Sequence, residues 1–187
     1  MSDKKLVLRH EVLTFMKPKK LTDDTFEEKY YRLYGFTELS ETANPQEYTR
    51  KYIDEARERT DIVGMTKTSS FNLDYHEGDL VHADIKNMYD KELTGTNTER
   101  EFIAIEMFKD VKYTDKSALR TGEAKTGKRA ILRKYTVIIS DSGGEEAVTF
   151  AGSFNVSGDR IEGVAISDDG WQTCTFKKLD EITVSEG

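Results

Sequence analysis

Apolar and polar positions alternate most clearly in the C-terminal third of the chain. Val148, Phe150, Phe154 and Val156 fall in phase, with Thr149, Ala151, Ser153 and Asn155 on the opposite phase; a period of two predicts a half-buried strand. Ser157-Gly158-Asp159 supplies turn chemistry, and residues 160–167 return as a second strand, so a hairpin is expected here. Asp168-Asp169-Gly170 makes another turn before a strand over 171–178. Residues 129–140, rich in Ile, Val, Tyr and Thr, form a longer strand ending at Asp141-Ser142-Gly143-Gly144. Residues 129–178 therefore read as an antiparallel meander.

Upstream, residues 66–74 and 101–108 also carry strand patterns. Between them Val81, Ile85, Met88 and Leu93 recur on roughly one helical face, predicting a helix over 79–94, with Gly95 as the left-handed residue that often ends a helix. Residues 6–15 predict a first strand with Leu6, Leu8 and Val12 in phase. The stretch 22–61 is dense in charge and in tyrosine (Tyr30, Tyr31, Tyr34, Tyr48, Tyr52), and Asn44-Pro45 marks a turn. It reads as a long excursion, with a hairpin or loop over 36–55 whose aromatics need a surface to bury against.

Composition limits the core that these elements can share. Of 187 residues, 34% are charged and 36% hydrophobic, against about 25% charged in an ordinary globular protein. A single domain over 1–187 with a modest core is expected. No apolar run approaches the roughly 18 residues of a membrane span, and the first residues lack a signal-peptide apolar stretch, so a soluble protein made in a cytoplasm is expected. The formal charge of −7 argues against tight phosphate binding. Charge is also unevenly placed: residues 1–20, a basic arm, hold six basic groups against two acids, and residues 141–187 hold ten acids against three basic groups. Two solvated faces account for this, and so does self-complementarity between copies.

Candidate chemistry is sparse. Gly122 to Lys128 matches the Gly-x4-Gly-Lys core of a phosphate loop, but Arg129 stands where Ser or Thr should follow, and a charged loop leading into a strand is the wrong context. His76 and His82 lie six apart beside Asp74 and Asp84, a spacing with no clean same-face match, which leaves surface or capping roles. Cys174, the single cysteine, excludes an intrachain disulfide and reads as a small buried strand residue. Asn155-Val156-Ser157 is an incidental sequon, and Glu145-Glu146 and Asp168-Asp169 are solvated turn acids. No catalytic, cofactor or metal site assembles from these residues.

The order of short motifs carries more information. Asn44-Pro45 and Tyr52-Ile53-Asp54-Glu55 precede a strand ending near Phe71 and a helix closing with Glu92-Leu93-Thr94-Gly95. Then follow Gly152-Ser153-Phe154, Gly158-Asp159, Glu162-Gly163, Asp169-Gly170-Trp171 and Thr175-Phe176. From about residue 44 to 176 this resembles the major tail tube proteins of long-tailed, siphovirus-type bacteriophages and prophages. Residues 110–128 read as a variable loop. The resemblance implies a mainly β fold, an antiparallel β-sandwich or barrel with one flanking α-helix and extended arms. It implies a structural subunit, without enzyme activity or cofactor, whose hexameric rings stack into a hollow tube guiding DNA into the host. Implied partners are further copies of the chain and the tape measure, tail terminator and distal tail proteins, with DNA passing the lumen without specific binding and no membrane contact. The implied location is the virion tail, after assembly in the host cytoplasm. A tube subunit of a tail-derived particle or secretion system, and a monomeric β-sandwich binding module, are the alternatives. Tyr48, Arg50 and Tyr52 are candidate inter-subunit contacts, unless the tyrosines pack on their own subunit. The basic arm and the 110–128 loop are further candidates for stacking. Thr149, Ser153 and Asn155, or the equivalent face of 129–140, are candidates to line the lumen.

Overall fold

The computed structural model describes residues 6–23, 25–54, 56–116 and 124–185. A 3-10 turn, Arg9–Glu11, leads into strand β1 (Val12–Lys17), followed by β2 (Tyr30–Arg32), β3 (Phe36–Arg50) and β4 (Arg59–Asp74). Helix α1 (Leu80–Asp90) and a second 3-10 turn (Gly95–Thr98) precede β5 (Glu99–Asp115), β6 (Lys125–Gly143), β7 (Thr149–Val156), β8 (Ile161–Ile166), β9 (Thr173–Lys178) and β10 (Ile182–Ser185). Every pairing is antiparallel.

The sheet closes on itself. The neighbours β5-β1-β2-β9-β8-β6, together with a β5–β6 pairing, form a six-stranded barrel. Strand β6 outruns that barrel: on one edge its residues 128–132 pair with β8 and its residues 135–143 with β7. From there β7, β4 and β3 continue as an open wing of the same sheet. One core cluster, with Phe15, Tyr30, Ile103, Leu132, Ala165 and Cys174, draws on all six barrel strands. A second packs α1, through Val81, Ile85 and Met88, against Phe71, Leu73, Phe150 and Phe154 of the wing, where Phe71 and Phe154 stack with ring centroids 4.4 Å apart. A small third cluster, Tyr113, Val164 and Ile182, seats β10 against the barrel wall.

Local chemistry sets the helix ends. Asp79 caps the N-terminus, its carboxylate accepting from the Val81 and His82 amides at 2.8 and 3.2 Å. At the other end the Leu93 amide donates to Met88 O at 3.0 Å and the Glu92 amide to Tyr89 O at 3.1 Å. Glu92 takes φ of 49°, so the left-handed cap falls three residues before the expected Gly95. Leu93 lies beyond the helix yet still packs on the second cluster.

Several expected elements differ. The first strand starts at Val12, and Leu6 and Leu8 are exposed while Phe15 and Met16 are both buried, because these neighbours point to opposite faces and each face meets its own core cluster. Asn44-Pro45 is no turn: both lie inside β3, opposite Thr66 and Met65. Strand β3 is the edge of the sheet, the position at which a strand tolerates proline. The expected 36–55 hairpin or loop is in fact the first half of a hairpin that runs from Phe36 to Asp74. The 148–156 and 160–167 segments form no hairpin with each other; both pair with β6, which separates them along its length. Of the expected 110–128 loop, 110–115 and 125–128 are paired strand beyond an irregularity between Glu106 and Asp110, and 117–123 lie outside the described residues. Gly152 meets the β6 irregularity near Ile139: a Cβ there would sit 2.0 Å from Ile138 O.

A buried ion pair pins helix to barrel. Arg100 Nε and Nη2 donate to the two Asp84 oxygens at 2.6 and 2.8 Å, with both side chains fully buried. Arg100 Nη1 donates to Asn97 O and Glu99 O, and the Lys19 amide donates to Asp84 Oδ2 at 3.1 Å. All the charge is answered locally, which is the condition for such a pair to be tolerated. Asp84→Ala is expected to lower unfolding free energy by about 3–5 kcal/mol, and Glu92→Gly to raise it by roughly 1 kcal/mol by relieving the left-handed side chain. Urea denaturation followed by circular dichroism checks both.

Candidate assembly surfaces

The wing presents two unlike faces. In register across its strands, Ser40, Ser70, Ser153 and Ile138 form one row, Thr42, Thr68, Asn155 and Thr136 the next. Glu38, Asn72 and Ala151 extend the same face, and Thr149 shares it at the Asp74 end. The sequence-nominated Thr149, Ser153 and Asn155 thus belong to a small-residue polar surface that spans four strands. The named positions on it include Glu38 and Asp74 and no Lys or Arg. The opposite face carries Leu39, Phe71, Phe154 and Val137 and packs in the helix-covered core. Asn155 Oδ1 is buried without a hydrogen-bond partner, an unmet acceptor in the middle of the polar face.

Beyond Thr68 the β3–β4 hairpin leaves the wing and pairs with no third strand. Near its tip the Arg50 guanidinium lies over both tyrosines, 5.4 Å from the Tyr48 ring centre and 4.8 Å from that of Tyr52. Asp61 holds Arg50 at 3.4 Å and Arg59 at 3.0 Å. The three candidate contacts are therefore one preorganised cluster. Tyr48 and Tyr52 remain 51% and 40% exposed and join none of the three cores. Ile53, Ile62, Val63 and Met65 are also exposed here. Among the described residues they join none of the three clusters, and alternation could not flag them because a bulge at Val63 interrupts the period.

The remaining titratable candidates are structural. His82 is fully buried, against the expectation of a surface or capping role: its Nδ1 accepts from the His76 amide at 2.9 Å and its Nε2–H donates to Tyr34 O at 2.7 Å. His76 Nδ1–H donates to Asp74 O at 2.8 Å. Among the described residues no group of three His, Cys, Asp or Glu is placed to hold a metal ion. Gly122 of the phosphate-loop pattern lies outside the described residues, and Lys125 to Lys128 are strand residues paired with β5. Cys174 is buried in β9, and burial, with the Asp169 charge second, pushes its thiol up to about 12. The Tyr30 hydroxyl is raised well above the ordinary tyrosine range, first by burial and then by donating to Glu101 at 2.7 Å. Asp169 is held below the usual carboxylate range by Thr173, whose amide and hydroxyl both donate to it, and by Ser167 and Gln172.

No protein-family model and no curated protein matches the chain. Among solved structures, the tail tube of SPP1, determined by solid-state NMR and cryo-electron microscopy, aligns with a TM-score of 0.53 at 11% identity, over 87% of this chain and 81% of that one. This is the tail-tube fold. The tail of an empty GTA particle, refined helically with C6 symmetry, aligns at 9% identity with a TM-score of 0.49, over 83% of this chain and 97% of its own. The expected fold class, mainly β with one helix and a large antiparallel sheet, is the one observed.

The buried thiol has a measurable signature in the tail-tube fold. An unfolded cysteine titrates near about 8.5, so the native state holds its proton more strongly across the interval up to about 12. Stability contributed by Cys174 is complete below that interval and falls as pH rises through it. Cys174→Ala is expected to flatten the alkaline decline in melting temperature, with Tyr30 supplying what decline remains, and native Cys174 is expected to resist alkylation until the chain is unfolded.

Proposed function

We propose that this chain is the structural subunit of a bacteriophage-type tail tube. Copies close into a ring, six per ring, rings stack into a hollow tube, and the polar face of the wing lines the channel. The observation that carries this reading is the wing itself: a sheet extension with one core-packed face, one polar face on which Lys134 alone of the basic residues follows in phase, at the barrel end, and an open edge at β3. An unpaired edge of this length is an association template in a lone subunit. Joining wings side by side removes it in the way a closed barrel does.

The chemistry of the polar face suits passage of DNA. Each copy adds a formal −7, and short uncharged side chains with scattered carboxylates offer phosphate no counter-charge. DNA slides through without specific binding. The Tyr48–Arg50–Tyr52 cluster has the composition of an interface anchor, aromatic and arginine held ready on a rigid hairpin. Its neighbouring exposed aliphatic residues lose their contact with water when it docks on another copy. On this reading the protein is not an enzyme, resides in the virion tail after assembly in the host cytoplasm, and meets tape measure, tail terminator and distal tail proteins at the ends and bore of the tube.

Electron microscopy of the purified protein at increasing concentration, with light scattering for mass, is expected to show six-fold rings or hollow tubes; a particle of 21.4 kDa at every concentration overturns the reading. Tyr52→Ala and Arg50→Ala are expected to leave folding intact and to suppress tubes. Replacing Thr149 and Ser153 by Lys is expected to slow DNA ejection from particles whose tubes still form, since it places cations along the path of the phosphates.

A further inference from the structure

Several of the chain's carboxylates are held in ion pairs. Glu41 pairs with Lys67, Asp90 with Lys86, Asp110 with Lys128, Asp115 with Lys125 and Lys177, and Glu106 and Glu162 with Arg129. The acids at the turn end of the wing are not among these. There the β6–β7 turn, the β4–α1 connection and the start of β3 converge: Tyr75 donates its amide to Val148 O at 2.9 Å, and Asp74 donates its amide to Gly35 O at 3.0 Å. Residues 33–37, 72–80 and 139–149 contain six acids and no Lys or Arg. Among the described residues, Glu77, Asp141, Glu145 and Glu146 make none of the recorded ion pairs. An exposed apolar surface lies among them, independent of the charge: Tyr34 is 64% and Val148 52% exposed, and Tyr34 meets the His76 ring edge-on at 5.7 Å.

The chain contains one segment with the inverse character. Leu6, Val7 and Leu8 are consecutive and all exposed, and they sit between Lys4-Lys5 and Arg9. They pack in none of the three cores. We infer that the turn end of the wing receives residues 4–9 of a second copy, the Leu6–Leu8 side chains covering Tyr34 and Val148 while the flanking cations meet Glu145, Glu146 and Asp141. The two surfaces are different patches of one chain, so the contact is head-to-tail and propagates from copy to copy, as a tube requires. Opposite charge steers the encounter and sets its register, and the apolar strip supplies the water-excluding centre. This inference rests on the tail-tube reading for its partner and assigns that partner's binding segment.

Two arms test it. In the first, wild type, Glu145→Lys/Glu146→Lys, Lys4→Glu/Lys5→Glu and the fourfold combination are compared by electron microscopy and sedimentation, with circular dichroism to confirm folding. Each double variant is expected to assemble only at a concentration raised by about tenfold or more, and the combination, which restores opposite charge between neighbouring copies, to recover. Tubes from every variant at the wild-type concentration overturn the inference and leave the tail-tube reading standing. In the second arm, a fluorescent peptide of residues 2–10 is titrated into dilute protein that has not assembled. Binding that weakens with salt and by about tenfold in Glu145→Lys/Glu146→Lys supports the contact even if wild type forms no tubes and the tail-tube reading falls. A peptide that binds the charge-reversed protein as tightly as wild type, or binds neither, overturns it.

Discussion

Strand β6 belongs to two structures at once, and the rest of the molecule is arranged around that. Its first half completes the barrel against β5 and β8, and its second half starts the wing against β7. A strand cannot change partners without exposing backbone groups at the junction, and here the changeover falls between Leu132 and Tyr135, where β8 stops and β7 begins. The Ser157 amide, in the connection between those two strands, donates to Lys134 O at 3.0 Å and fills the gap. Barrel and wing are consequently one continuous hydrogen-bonded sheet.

The buried Asp84–Arg100 pair secures the one element outside that sheet. Helix α1 could slide on the wing, since its contacts there are side chains of similar size, but a bidentate ion pair in the interior has only one good geometry. Removing one partner would strand the other charge without water, so the pair fixes position at the risk of a large loss if broken. The same loop of interactions reaches the Lys19 amide, tying the β1–β2 connection to the helix.

Charge is distributed by role. Around the barrel part of it is held in pairs such as Arg129 with Glu106 and Glu162; such exposed pairs add little stability. On the wing the polar face is built mainly from Ser, Thr, Asn and Ala, with Glu38, Asp74 and Ile138 among them, and the acids of the turn end make no ion pair among the described residues. The proposed assembly accounts for a long open edge, a bare aliphatic hairpin and an acidic end in the same extension, because other copies would complete each.

Period and residue type alone determined that the chain is mainly β with one helix, because alternation in 148–156 and the spacing of Val81, Ile85 and Met88 are set by burial of single faces, a local property. That Thr149, Ser153 and Asn155 share one face was legible in the same way, by phase, and Tyr48, Arg50 and Tyr52 stood out by composition. Their arrangement was not. That the 148–156 and 160–167 strands share β6 instead of each other, that Pro45 sits in an edge strand, and that Glu92 closes the helix in place of Gly95 all depend on which partner wins a contest between distant segments. The polar face exists only because four strands come into register, and Asp84 and Arg100 meet only because the helix lands on the wing. Those are long-range packing outcomes, decided by which arrangement satisfies the backbone and the buried charge together.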